Sequence, residues 1–221
     1  MLKRFLQLAA GVGIIPLCIG ISIAFYEQLL AARRIEQPEV SLLLGITAYL
    51  AVHALLGPPR RAYVLGHELT HASATWVSGG QVKGFKAGAK QGAVITNKVT
   101  GFIALAPYMI PVYAVLAALA YGAAGLFYDV RPWIHWFLFG LGAALAFHLV
   151  FTVEALKQKQ PDLEVLGPLL SVGLIYCVNL VCVIGVMALI VPEVRFGGFL
   201  QSGGRHAAHL YRALFSQIFL R

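Results

Sequence analysis

The stretch Gly66-His67-Glu68-Leu69-Thr70-His71-Ala72 decides how this chain reads. Two histidines stand four residues apart with a glutamate beside the first, inside an apolar run from Ala62 to Val77. Residues four apart on a helix share a face one turn apart, so both imidazoles can hold one zinc ion. Glu68 then faces the open coordination position and can take a proton from bound water. Ionisable side chains are expensive inside a membrane span and mark a functional site by default. The bland alternative is that these side chains only hydrogen-bond between helices.

The rest of the chain supports a membrane setting. Of 221 residues, 59% are hydrophobic and 12% charged, and the mean hydropathy is +0.79. A soluble domain carries about 25% charged residues and needs them to cover its surface. Composition therefore excludes an ordinary cytosolic enzyme and a disordered chain. The net charge of +8 sits mostly at the ends of apolar runs, where Lys and Arg meet anionic headgroups. No basic stripe with interleaved aromatics occurs, so no nucleic acid partner is expected. Cys18, Cys177 and Cys182 lie inside apolar runs and read as small buried hydrophobes.

Six spans are expected, near Phe5–Phe25, Val40–Leu56, Ala62–Val77, Gly101–Tyr121, Pro132–Leu156 and Pro168–Val191. The first could be a signal peptide, with Ser22-Ile23-Ala24 as a small-residue cleavage site, but its length favours an uncleaved span. The polar stretch Arg33–Glu39 and the break Gly57-Pro58-Pro59-Arg60-Arg61 separate the first three. Pro107 and Pro111 are expected to kink the fourth. Residues 81–98 hold Lys83, Lys86, Lys90 and Lys98 with Gly84, Gly88 and Gly92, a pattern for a β-hairpin. The tail 203–221 alternates basic and apolar residues and reads as an amphipathic, interfacial helix. The expectation is a single all-α membrane domain, 1–221, with one small hairpin. Lys and Arg divide nine to eight between its two sides, so the positive-inside rule sets no orientation.

The run His67-Glu68-Leu69-Thr70-His71-Ala72, then Gly79-Gly80-Gln81-Val82, Phe85-Lys86-Ala87-Gly88 and Gly92-Ala93-Val94, resembles the site-2 proteases. In those intramembrane zinc metalloproteases a Gly-containing hairpin follows the HExxH helix, and a further span follows the hairpin. The resemblance covers roughly residues 61–167; the first two spans and the tail have no counterpart in it. It implies a third zinc ligand, an Asp in an Asn-x-x-Pro-x-Pro-x-x-Asp-Gly stretch. The match here is Glu154 to Leu163, with Asp162 as ligand and Glu154 at the Asn position. Lys157 and Lys159 replace the prolines and Leu163 the glycine, while Pro161 precedes Asp162.

With six alternating spans, the HExxH helix and the fifth span run the same way. Asp162 lies beyond the end of that span and must fold back inward to reach the histidines. His148, nearer their depth, is a rival ligand or an outer partner, with Thr152 one turn away on its face. His53, His135, His206 and His209 are assigned packing or headgroup roles, and Glu164 is expected to be solvated.

The resemblance implies a multi-pass protein of a bacterial inner or plasma membrane, with the hairpin side cytoplasmic. Its expected activity is zinc-dependent hydrolysis of a peptide bond in or near a transmembrane segment of a membrane-protein substrate. Glu68 would be the general base, and the hairpin would pair with the unwound substrate strand. Two rivals stand beside it. One is an inactive membrane scaffold of the same type. The other is a di-iron desaturase or hydroxylase, which needs about eight boxed histidines where this chain has seven in all.

Overall fold

Inside a bilayer the backbone finds no water, so an apolar chain must satisfy its own N–H and C=O groups. The computed structural model, which describes residues 1–32, 36–89 and 91–219, is accordingly mostly helical with one two-stranded sheet. Arg33 and Arg34 of the first polar loop, Lys90 of the hairpin and Arg221 of the tail lie outside the described residues. In chain order the elements are α1 (Leu2–Gly13), α2 (Ile15–Ala31), α3 (Gln37–Leu56), α4 (Arg60–Val77), β1 (Val82–Ala87) and β2 (Gly92–Thr96). They continue with α5 (Gly101–Met109), α6 (Val112–Gly125), α7 (Ile134–Leu156), α8 (Pro161–Glu164), α9 (Pro168–Ile190) and α10 (Phe196–Phe219).

Among the described residues, four helical segments are long and apolar enough to cross a membrane: Leu2–Ala31, α3, Arg131–Leu156 and α9. A fifth is reached only if α5 and α6, bent by 73°, count as one broken span. The six expected spans are thus not all found: by length and composition four helices qualify, or five with the bent pair. Two causes account for the difference. The HExxH helix α4 carries too many polar residues to qualify. The fourth expected span breaks at Ile110, whose backbone is extended (φ −106°, ψ 112°) because Pro111 follows it. Pro107 stays inside α5, so the break belongs to Pro111.

Two compact units divide the chain, Met1–Ile35 with Leu166–Arg221, and Glu36–Val165. In the first, α10 begins at Phe196 rather than Gly203 and buries Phe199, Ser202, Gly203 and Ala207. Glu27 of α2 accepts from Ser202 Oγ (2.5 Å) and lies 2.9 Å from His206 Nε2, so part of the expected interfacial tail is packed against α2. Tyr211 donates to the Gly13 carbonyl at 2.6 Å. The three cysteines are free thiols, with Cys18 and Cys177 sulfurs 3.6 Å apart.

The second unit carries the HExxH helix. α3 and α7 pack in parallel: Ser41 meets His135, Tyr49 meets Phe147, and His53 meets Phe151 and Glu154. Side chains at Gly45 and Gly142 would collide with the Phe139 and Leu42 carbonyls, so small residues set this close approach. Six alternating spans would make these helices antiparallel. Their parallel packing departs from that alternation.

α4 starts after the Pro58-Pro59 break and ends in a Schellman turn. Gly79 takes φ +73°, its N–H bonds the Trp76 carbonyl (2.9 Å), and the Gly80 N–H bonds the Thr75 carbonyl (2.8 Å). That turn sends β1 and β2 back along α4 as an antiparallel hairpin, with Phe85 opposite Val94 and Ala87 opposite Gly92. The strands expected within 81–98 are present, with a bulge between Val82 and Gly84.

Candidate metal centre

One turn of α4 brings the His67 and His71 Nε2 atoms to 3.2 Å from each other. His71 Nδ1 lies 2.9 Å from the Ile103 carbonyl. A carbonyl only accepts, so the ring proton is assigned to Nδ1 and the Nε2 lone pair faces the site. Ile103 holds its place because Thr100 caps α5, accepting the Ile103 N–H at 3.1 Å. Behind His67, the Tyr63 hydroxyl stands 3.4 Å from Nδ1, and the Tyr63 ring stacks on Phe151 at 4.4 Å.

Asp162 arrives by a reversal of the chain rather than by the end of a helix running with α4. Phe147 and His148 of α7 line a cavity with Gly66 and Thr70, whereas Glu154 and Gln158 line a cleft with Arg60. α7 therefore passes α4 in the opposite sense to the one expected from alternating spans. Gln160 is extended, Pro161 starts the short α8, and buried Leu163 pins that turn. Asp162 Oδ2 ends 3.7 Å from His67 Nε2 and 3.6 Å from His71 Nε2. Tyr108 donates to the same oxygen at 2.9 Å. Burial pushes the Asp162 carboxyl up, but the His67, His71 and Tyr108 side chains outweigh it and hold the group well below the usual carboxylate range. At neutral pH it is a carboxylate.

These three donors suit a single small metal ion. Their atoms all lie within 4.8 Å of one another. Bonds of about 2.0–2.1 Å in a tetrahedron set the ligand atoms about 3.3 Å apart, close to the 3.2, 3.6 and 3.7 Å found. Two neutral imidazoles and one carboxylate leave a fourth position open, and Ile103 and Tyr108 supply the outer hydrogen bonds such ligands use.

His148 and Thr152 are buried on α7 and border a separate small cavity beside His67. Among the described residues, the one converging ligand group is His67, His71 and Asp162, and His148 is not in it. Of the four other histidines, His53 meets Glu154, His135 meets Ser41 and His206 meets Glu27, while His209 lies on α10. Glu164 is exposed.

Glu68 is buried, and its side chain rests against Gly92 of β2. Two clefts meet there, sharing His67, Glu68, Gly92 and Gln160. One, of about 390 Å³, runs past His71 and Asp162 between β2 and the start of α5, lined by Val94, Val99, Ile103 and Val165. The other, of about 320 Å³, runs past Tyr63 to Arg60, Gln91, Glu154 and Gln158. Antiparallel pairing alternates, and the Gly88 N–H bonds the Gln91 carbonyl at 3.0 Å. Lys86–Ala93 and Gly84–Ile95 are then the next bonded pairs, which turns the N–H and C=O of Gly92 and Val94 to the outer edge of β2. Among the described residues no third strand covers that edge.

Tyr63, Ile103 and Tyr108 are not among the residues the sequence singles out, and Gly92 stands there only as a hairpin glycine. Tyr63 does carry a signal, lying one turn before His67 on the same helical face. Tyr108 carried no spacing signal, since it reaches Asp162 only through the fold. Compared with family models, with curated proteins and with solved structures, the chain matches none.

Proposed function

We propose that this chain is a multi-pass membrane zinc endopeptidase of the site-2 protease type, cleaving a peptide bond in or near a transmembrane segment. The observation that carries the reading is the convergence of Asp162 on the two HExxH histidines, across the length of α7 and a reversed loop. A lone HExxH match has no reason to recruit a carboxylate from 91 residues downstream of His71 (162 − 71).

His67, His71 and Asp162 would hold the ion, leaving one position for water. Zinc bound there supplies a Lewis acid that lowers the pKa of a water and polarises a peptide carbonyl. Ile103 fixes the His71 tautomer, and Tyr108 orients Asp162. Glu68 takes the water's proton and later delivers it to the leaving amine. Its burial against Gly92 holds the carboxylate where β2 meets the ligand pair. The outer edge of β2 gives an unwound substrate strand backbone partners beside that carboxylate.

The test is purification into lipid nanodiscs, with metal content by mass spectrometry and cleavage of transmembrane peptides by wild type and Glu68→Gln. One zinc per chain is expected in both, with turnover lowered on the order of 10²–10⁴-fold in the variant. A zinc-loaded wild type without cleavage would favour the inactive scaffold, and zinc retained in His67→Ala/His71→Ala would end the metal assignment.

A further inference from the structure

Resting on that reading, we propose that Glu154 is a specificity-determining residue that receives a basic side chain of the substrate, a few residues from the scissile bond. The cleft that holds Glu154 is continuous with the ligand pair through His67, Glu68, Gly92 and Gln160. Polar and apolar side chains line both clefts: Thr75 and Thr96 stand with Val94 and Val99 in one, Gln91 and Gln158 with Phe151 in the other. What sets the second apart is a pair of charged side chains away from the ligand set and Glu68, namely Arg60 and Glu154.

The Glu154 carboxylate is built into its wall. Its Oε1 lies 3.2 Å from His53 Nε2, and His53 Nδ1 lies 3.1 Å from the Tyr49 hydroxyl. The His53 ring also meets Phe151 edge-on at 5.9 Å. Anchored through one oxygen, the side chain remains 39% exposed, and no Lys or Arg nitrogen of the described residues lies within 4 Å of it. Arg60 shares the cleft without pairing with it. An acceptor fixed in this way, facing open volume, suits a cation brought by the substrate.

Distance and substrate chemistry agree. Arg60 and His67 are seven residues apart on α4 (67 − 60), about 10 Å along the axis. An extended peptide covers that with about three residues. Membrane spans end in Lys and Arg on their cytoplasmic flank. A segment with its apolar end in the first cleft would carry such a flank into the second. The substrate class is therefore the boundary between a transmembrane segment and a cationic flank, cut about three residues from the Lys or Arg.

The test uses peptides with one apolar 20-residue segment and a Lys, Gln or Glu flank, in nanodiscs of neutral lipid. Cleavage is measured with wild type, Glu154→Gln and Glu154→Lys, and binding by fluorescence anisotropy with the same changes in a Glu68→Gln background. Wild type should favour Lys over Gln flanks by about fivefold, the upper range for a partly exposed ion pair. Glu154→Gln should bring the ratio near one, and Glu154→Lys should turn it toward Glu flanks. Arg60→Ala should sharpen the Lys preference by removing a like charge. Zinc content reports that each variant is folded. An unchanged Lys preference in both Glu154 variants overturns the proposal. Lys-selective binding without cleavage by wild type sinks the protease reading and leaves this assignment standing.

Discussion

Gly92 lies against Glu68 so closely that a Cβ on Gly92 would sit 2.7 Å from Glu68 Oε1. The hairpin and the HExxH helix are thus fitted through the absence of one side chain. Gly92→Ala should displace the Glu68 carboxylate while leaving His67, His71 and Asp162 untouched. Zinc content is expected to stay at one per chain, and turnover to fall on the order of 10²-fold, as for a misplaced general base. Turnover within a factor of about two of wild type would show that Glu68 does not need this seat.

Tyr108 donates to the same Asp162 oxygen that faces both histidines. Removing its hydroxyl in Tyr108→Phe leaves the packing of this buried ring in place and frees the carboxylate to rotate. Outer partners of this kind are worth about 10–100-fold in metal affinity. Competition with a zinc chelator should show a shift in that range, and an unshifted curve would reduce Tyr108 to packing.

How far the sequence carried these assignments depends on the range of the interaction. His67, Glu68 and His71 were legible because helical spacing alone puts them on one face. The hairpin was legible from its glycines and the collapse of hydropathy after Gly80. Asp162 is legible only through resemblance to a motif, and its approach differs from the expected one because α7 runs against α4 rather than with it. The bend of the fourth span is legible from Pro107 and Pro111, but nothing local reveals that α3 and α7 pack in parallel through Gly45 and Gly142. Gly92 reads as a glycine that permits a turn or a close approach, but its partner Glu68, 24 positions earlier (92 − 68), leaves no mark in the sequence. Contacts made only by tertiary folding leave no period in the sequence.

Alternation along β2 separates two neighbouring positions. The Val94 N–H faces the open edge, whereas the Ile95 N–H is directed into the pairing with Gly84. Val94→Pro removes an edge donor and should lower cleavage with zinc and hairpin retained. Ile95→Pro removes a bond of the hairpin itself and should also lower thermal stability. Equal effects of the two prolines on melting temperature would contradict the register, and full activity in Val94→Pro would remove the edge from substrate binding.

The third ligand is settled by two substitutions. Asp162 brings a charged oxygen to 3.6–3.7 Å from both Nε2 atoms, close to the separation of about 3.3 Å that one shared ion sets. His148 is buried beside His67 yet stands outside the converging group. Asp162→Ala should weaken zinc binding beyond about 100-fold, since outer partners alone reach that figure. His148→Ala should cost packing but keep the metal, because its ring contributes no donor to the converging set. Asp162→Asn adds a finer test: the amide preserves the shape of the turn and the Tyr108 contact but carries no charge. Binding lost in both Asp162 variants identifies the carboxylate itself as the ligand. Binding kept in both, and lost in His148→Ala, would move the site to α7 and leave α8 without a role in it.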